Sequence, residues 1–173
     1  NNDLKVHFHD TQKTGSHIAR FVFIDQDPLT IDRILAHPQA HLLNPDNLIS
    51  SNESSQNVYP IAFNSSNIDR IKDVLRKEYE RCDTCQGVIF NHSSMGGTGS
   101  GLTSKIACEV RNFVTKGLVN NVILPSFGTN NNHTALSIYN TVLGMHSMVE
   151  NFDLTFCFDN EALLQKAIDL DCY

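Results

Sequence analysis

Apolar and polar residues follow one another along this chain in blocks that read as strand, helix, strand. Leu4–His9 alternates and reads as a short strand or a loop edge. Arg20–Asp25, with Phe21, Val22, Phe23 and Ile24 in a row, has the β-branched and aromatic content of a buried strand. Asp27 and Pro28 then open a helix, as N-cap and first-turn proline, with Leu29, Ile31, Ile34 and Leu35 as its apolar positions. Residues 37–66 are rich in Asn, Ser and Pro and predict a long, mostly irregular surface segment. Asn67–Arg81 is an amphipathic helix, with Ile68, Ile71, Val74, Leu75 and Tyr79 on roughly one face. A strand at 86–90, a glycine-rich stretch, a helix at 102–117 and a strand at Leu118–Leu124 come next. After an Asn-rich loop through Asn132, His133–Val149 reads as a helix and Leu154–Phe158 as a strand. Asp159 and Asn160 cap a last helix, Glu161–Leu170.

Strands that alternate with helices predict an α/β fold, a parallel sheet covered on both faces. The carboxyl ends of the strands carry polar residues: Asp25 and Asp27, His92 and Ser93, Ser126 to Asn132, Asp159 and Asn160. Ligands of open α/β sheets bind along that edge.

The glycine-rich stretch carries the most chemistry. Met95-Gly96-Gly97-Thr98-Gly99-Ser100-Gly101 lies between the apolar Gly87-Val88-Ile89-Phe90 and the amphipathic run from Leu102. Glycines let a backbone come close to a ligand, and the open N–H groups of a helix start then form an anion site. Thr98 and Ser100 add hydroxyls able to donate to phosphate oxygens. A glycine-rich turn on its own fits a tight reversal of the chain equally well. The stretch is no Walker A loop, because no Gly-Lys-Ser/Thr closes it and Lys105 falls inside the helix. It lacks the dinucleotide fingerprint too: where an acid is required about 20 residues on, the chain has Asn120 and Asn121. The polar strand ends around it favour a nucleotide pocket over a bare turn.

Composition narrows the partners. The 173 residues are enough for one domain with a core, and 40% hydrophobic content argues against disorder. A net charge of -6 without a basic cluster argues against nucleic acid and membrane surfaces, and no apolar run approaches a membrane span or a signal peptide. Five scattered cysteines fit a reducing compartment. Cys82-Asp83-Thr84-Cys85 has redox or half-zinc spacing, but no second pair exists, so a structural role is expected. His7 and His9 suit one face of a strand without a third metal ligand. The sequons at Asn52, Asn64, Asn91 and Asn132 read as chance without a secretory signal.

Several of these stretches resemble tubulin. Phe90-Asn91-His92-Ser93-Ser94-Met95-Gly96-Gly97-Thr98-Gly99-Ser100-Gly101 is similar to the family's Gly-Gly-Thr-Gly-Ser-Gly loop after a strand ending in His-Ser. Ala19–Pro28 resembles its Pro-Arg-Ala-Val-x-x-Asp-Leu-Glu-Pro, and Asn44-Pro45-Asp46-Asn47 its Asn-Pro-Glu-Asn. Tyr139-Asn140 matches the end of Pro-Tyr-Asn, and Asp159-Asn160-Glu161-Ala162 matches Asp-Asn-Glu-Ala. The matches run in order along nearly the whole chain. Ile34-Leu35-Ala36-His37-Pro38-Gln39-Ala40 through Asn44-Pro45 is similar to the gamma form, as is Gly101-Leu102, whereas Asn160-Glu161-Ala162 leans to alpha and beta.

The resemblance implies an α/β, Rossmann-like three-layer parallel sheet, and makes residues 1–173 a partial GTP-binding domain. Gly96, Gly97, Thr98, Gly99 and Ser100, with Ser93 beside them, would hold the phosphates of GTP or GDP. Asp27 stands where the family has an acid near Mg2+ and the terminal phosphate, one carbon shorter than the usual Glu. Asn160 would bond the base, although a helix cap beside Asp159 serves it equally well. Ser54–Asn57 falls at the Asn-rich phosphate loop, so Asn57 is a phosphate-loop candidate. Cys172-Tyr173 takes the place of a Thr-Tyr whose ring stacks on the base, if a short deletion precedes it. No catalytic residue and no direct metal ligand is assigned, because hydrolysis in this family needs an acid from the next subunit.

The chain also departs from the family. Gln56-Asn57-Val58-Tyr59-Pro60 replaces Asn-Asn-x-Ala-x-Gly, and Met95 replaces a small residue. Ser137 stands where the ribose-binding acid belongs, with Ile138 for the proline. The family's first strand and Gly-Gln-x-Gly-Asn-Gln loop, its core helix and its second domain are not in the sequence. A segment of something longer is therefore expected, with sheet edges and apolar faces exposed. The implied function is a cytoplasmic, cytoskeletal GTP-binding subunit that assembles with other tubulin subunits into microtubules or nucleates them with a nucleating complex. The alternatives are a tubulin-like structural subunit with a degenerate or non-exchangeable site, and an NAD(P)-dependent Rossmann enzyme.

Overall fold

The computed structural model describes residues 6–10, 17–51, 55–125 and 134–170, which fall into two compact units. One unit takes the chain up to Ser54 together with Asp69–Cys82; the other takes Ser55–Ile68 and the chain from Asp83 onward.

In the first unit, β1 (Phe8–Asp10) pairs antiparallel with β2 (His17–Ala19). The strand expected over Arg20–Asp25 is shorter than its apolar run: β3 covers Phe23–Asp25, and Phe21 is exposed. The partner sets that length. β3 pairs in parallel with β4 (Leu48–Ser50), matching Phe23 with Leu48, Ile24 with Ile49 and Asp25 with Ser50. A tight turn at Pro45–Asn47, capped by the Asn44 side chain on the Asp46 N–H, ends the pairing before it can lengthen. α1 (Pro28–Leu35) starts at the expected cap, where the Asp27 carboxylate accepts the Leu29 N–H at 3.0 Å. α3 (Ile68–Glu80) forms as its periodicity requires and buries Ile71.

The irregular surface segment expected over 37–66 is corrected. It contains two short 3-10 turns, β4 and the five-residue helix α2 (Tyr59–Phe63), and Asn47, Leu48, Ile49, Ser51, Ser55 and Ala62 are buried. Elements of three to five residues are too short to show a hydrophobic period.

The second unit is built on a parallel sheet in the order β5 (Gly87–Ser93), β6 (Gly117–Leu124), β7 (Leu154–Asp159). The connections are α4 (Thr103–Val110) and α5 (Ala135–Asn151), and α6 (Asn160–Asp169) follows β7. This is the expected α/β, Rossmann-like alternation. The helix expected over 102–117 stops at Val110, where i to i−3 bonds from Asn112 and Phe113 tighten the last turn. One sheet face is closed: Leu118, Asn120 and Val122 are fully buried, and Phe90 meets Phe152 edge to face at 5.1 Å. The other face exposes Ile89, Leu154, Phe156 and Phe158, the exposure expected of an incomplete sheet. Asp153 joins β6 to the end of α4. Its carboxylate accepts the Leu118 N–H at 2.7 Å and pairs with Arg111 at 2.6 Å.

Candidate functional site

The end of β5 leads through residues 94–97 into a single wide helical turn, Thr98–Leu102, that bonds i to i+5 and runs straight into α4. Such π turns are rare and concentrate at functional positions. Ser94 anchors the root of the loop. Its N–H and hydroxyl both donate to the Ile123 carbonyl at the end of β6, and its hydroxyl meets that of Thr141 on α5 at 3.1 Å. The Ser93 hydroxyl accepts the Met95 N–H at 3.3 Å, starting the turn.

The glycines prove to be packing residues as much as ligand-approach residues. A Cβ on Gly99 would overlap the Ser93 carbonyl oxygen, and one on Gly101 would overlap the carbonyl of Tyr59. A Cβ on Gly97 would stand 2.8 Å from the Ser55 hydroxyl and 2.9 Å from the Val58 nitrogen. The loop therefore lies flat against β5 and the segment 55–63, and no larger residue permits that contact. Gly144 of α5 faces Ser100, where an added Cβ would stand in ordinary contact at 3.4 Å.

Asn57 reaches this loop. Gln56 and Asn57 adopt φ of 50° and 60°, two consecutive left-handed residues that turn the chain back on itself. The turn aims the Asn57 side-chain oxygen at the Gly97 N–H, 2.9 Å away. A carbonyl oxygen thus takes a donor of the kind a phosphate oxygen uses at a helix start. Ser100 faces inward instead. It is 1% exposed, and both its N–H, at 2.9 Å, and its hydroxyl, at 2.6 Å, donate to the Gly96 carbonyl. Lys105 pairs with Glu109 at 2.9 Å and lies over the Phe63 ring, so it plays no Walker lysine part.

In the sequence Asn140 stands out only as part of the Tyr139-Asn140 match, and the structure gives it a larger part. This buried α5 residue donates to the Asn57 carbonyl at 2.8 Å and to the Met95 carbonyl at 3.0 Å, and accepts the Tyr59 N–H at 3.0 Å. A buried Asn inside a helix is unusual enough to flag, but its partners lie 45 to 83 residues away and no local pattern reveals them. Beneath the loop, His92 bonds Asn120 across β5 and β6 at 2.8 Å, and Asn120 Nδ2 is left without a partner. Burial holds the His92 imidazole below its ordinary pKa of 6.5, against the opposing pull of the Asn120 bond.

The remaining candidates divide. Ser137 sits in the first turn of α5, where its hydroxyl lies 3.0 Å from that of Thr134. At Asn160 the cap belongs to Asp159, which accepts the Glu161 and Ala162 N–H groups, and the exposed Asn160 side chain is left out of it. Asp27 belongs to the first unit, as the N-cap of α1. Tyr173, Ser54 and the loop Ser126–Asn132 lie outside the described residues. The thiols of Cys82 and Cys85 donate to the carbonyls of Glu78 and Gly87. Among the described residues no cluster of three or more His, Cys, Asp or Glu could hold a metal, and no helix is long and apolar enough to cross a membrane.

Residues 1–167 match the model of the Tubulin/FtsZ family, GTPase domain. The chain is 35% identical over 164 residues to the tubulin beta chains of Candida albicans and Saccharomyces cerevisiae, and 34% identical to the tubulin beta-1 chain of Colletotrichum graminicola. Each alignment covers 92% of this chain but only 35–36% of the relative, so the chain spans about a third of their length.

Proposed function

This chain belongs to the Tubulin/FtsZ GTPase-domain family, and on that premise we propose that residues 1–173 are part of a GTP-binding domain whose glycine loop holds the phosphates of GTP or GDP. The observation that supports the reading is the glycine turn that carries the end of β5 through a single wide helical turn into α4, a helix start packed too closely for any larger residue. Gly96, Thr98 and Gly99 offer backbone to the phosphates, Gly97 would join them by exchanging its bond to Asn57 for one to a phosphate oxygen, and Ser93 and Ser100 shape the loop from behind. Asn57 lines the opposite side. Asn160, outside its helix cap, is available to the base, and Tyr173 is the candidate for stacking on it.

The tubulin resemblance is what gives Asp27 a place near Mg2+ and the terminal phosphate. One carboxylate oxygen caps α1 at Leu29, and the carboxylate's second oxygen suits a hard cation or its water. Bound there, Mg2+ would neutralise phosphate charge. Turnover belongs to an assembled protein, because the chain's own residues at the loop bind and orient without a general base.

The whole protein is then a cytoskeletal subunit, cytoplasmic, that assembles with other tubulin subunits, in microtubules or at a nucleating complex. A second reading, a tubulin-like structural subunit with a degenerate site, is favoured by Ser137 at the position of the ribose acid. Denaturing the purified full-length protein and identifying the released nucleotide by chromatography separates the two. GTP or GDP supports the first, no nucleotide supports the second, and NAD or NADP overturns both.

A further inference from the structure

We propose that Asn140 is a positioning residue of the phosphate site. Its carboxamide ties the left-handed turn at Gln56-Asn57 to the glycine loop and so holds the Asn57 side chain against Gly97. The inference rests on reading the loop as a phosphate site.

The tie has three parts on one planar group. Both hydrogens of the Asn140 amide nitrogen are engaged, one by the Asn57 carbonyl at 2.8 Å and the other by the Met95 carbonyl at 3.0 Å. Its oxygen accepts the Tyr59 N–H at 3.0 Å, at the start of α2. Asn140 is 1% exposed, so water does not compete for these bonds. Only a carboxamide supplies two donors and an acceptor in this fork; Asp lacks the donors, Ser and Leu lack the reach or the polarity, and Gln sets the fork one carbon further out.

The tie has a task because its target is strained. Gln56 and Asn57 hold φ of 50° and 60°, a region that Asn tolerates and that a residue such as Gln enters rarely. α2 also starts without a side-chain cap at Val58, so the Asn140 oxygen takes an N–H that the helix start leaves open. Asn57 is therefore fixed at two points, its carbonyl by Asn140 and its side chain by Gly97. Met95, at the mouth of the glycine loop, is held by the same amide. One side chain sets the gap between the loop donors and the turn that faces them. α5 carries that side chain at a fixed height because the hydroxyl of its neighbour Thr141 lies 3.1 Å from that of Ser94 at the root of the loop.

The test is a double-mutant cycle on the full-length protein, with GDP as the probe. Asn140→Ala weakens GDP binding by about tenfold, the scale of one or two buried hydrogen bonds. In an Asn57→Gly background, which has no side chain left to position, the same change costs about threefold or less. An equal loss in both backgrounds, or no loss in either, overturns the proposal. Asn140→Asp, which keeps the acceptor for Tyr59 and loses both donated bonds, covers the case in which the alanine variant does not fold; the same pattern is expected of it. Hydrogen exchange tests the tie without ligand: residues 55–59 and 94–100 exchange faster together in Asn140→Asp, and unchanged exchange in both overturns it. Wild-type protein that binds no GDP while showing the coupled exchange contradicts the nucleotide reading and leaves the tie standing.

Discussion

The side-chain oxygen of Asn57 accepts the backbone N–H of Gly97 at 2.9 Å, across 40 residues of sequence. The turn that delivers Asn57 is left-handed at two successive residues, and the loop that receives it is glycine because a Cβ at Gly97 would strike Ser55 and Val58. The left-handed turn and the closely packed glycine meet at one hydrogen bond. Strained backbone of this kind persists where surrounding structure holds it, and it gathers at ligand sites.

Asn57→Asp tests that bond with little change of shape. A carboxylate accepts the Gly97 N–H more strongly than a carboxamide does and adds a negative charge beside the phosphate position. GDP binding weakens by about tenfold or more, while the melting temperature holds or rises slightly. Calorimetric titration with parallel melting curves checks both halves; unchanged GDP affinity would separate Asn57 from the phosphates.

Gly99→Ala acts on the fold before it acts on any ligand. The new methyl overlaps the Ser93 carbonyl oxygen, a backbone atom that cannot swing aside. The expected cost is about 2–4 kcal/mol of stability, typical of forcing atoms into a packed site. Urea unfolding measures it, and a loss under about 0.5 kcal/mol, the range of neutral surface changes, would contradict the packing described at the loop.

His92 makes stability depend on pH in a stated direction. Burial lowers its folded-state pKa beneath the ordinary 6.5, so the unfolded chain binds the proton more readily. Its contribution is complete above pH 6.5 and is lost as the pH falls from 6.5 toward the depressed folded value. Between pH 8 and 5.5 the melting temperature of the wild-type protein therefore declines more steeply than that of His92→Gln. Parallel profiles would show that the ring is not held neutral by burial.

Ser137→Glu restores a carboxylate at the position where the tubulin resemblance places the ribose acid. Thr134 and Ser137 share a 3.0 Å hydroxyl contact at the first turn of α5, where a negative side chain is also favoured by the helix dipole. GDP binding tightens by about three- to tenfold, and a dideoxy analogue gains nothing. Equal gains for the two nucleotides would place Ser137 away from the sugar.

Much of this was legible in the chain. β5, β6, β7, α3 and α5 announce themselves because each runs six residues or more with a clear apolar period. The glycine loop reads as an anion site because glycines and a helix start have local causes. β4 and α2 were hidden by their brevity, and β3 was overestimated because its apolar run says nothing of how short its partner is. The part of Asn140 was illegible for another reason. Its worth lies in three bonds to segments far away in sequence, and a helix pattern marks it only as a polar residue on a buried face. Glycine in such a loop signals room for a ligand, and Gly97, Gly99 and Gly101 also make room for the protein itself.

The central claim is that the glycine loop grips phosphate. Calorimetric titration of the nucleotide-stripped, full-length protein with GDP and with guanosine tests it most directly, because the two ligands differ only in the diphosphate. The account predicts GDP binding at least about a hundredfold tighter, the worth of two or more charge-assisted hydrogen bonds to loop N–H groups. Equal affinities for GDP and guanosine would contradict it.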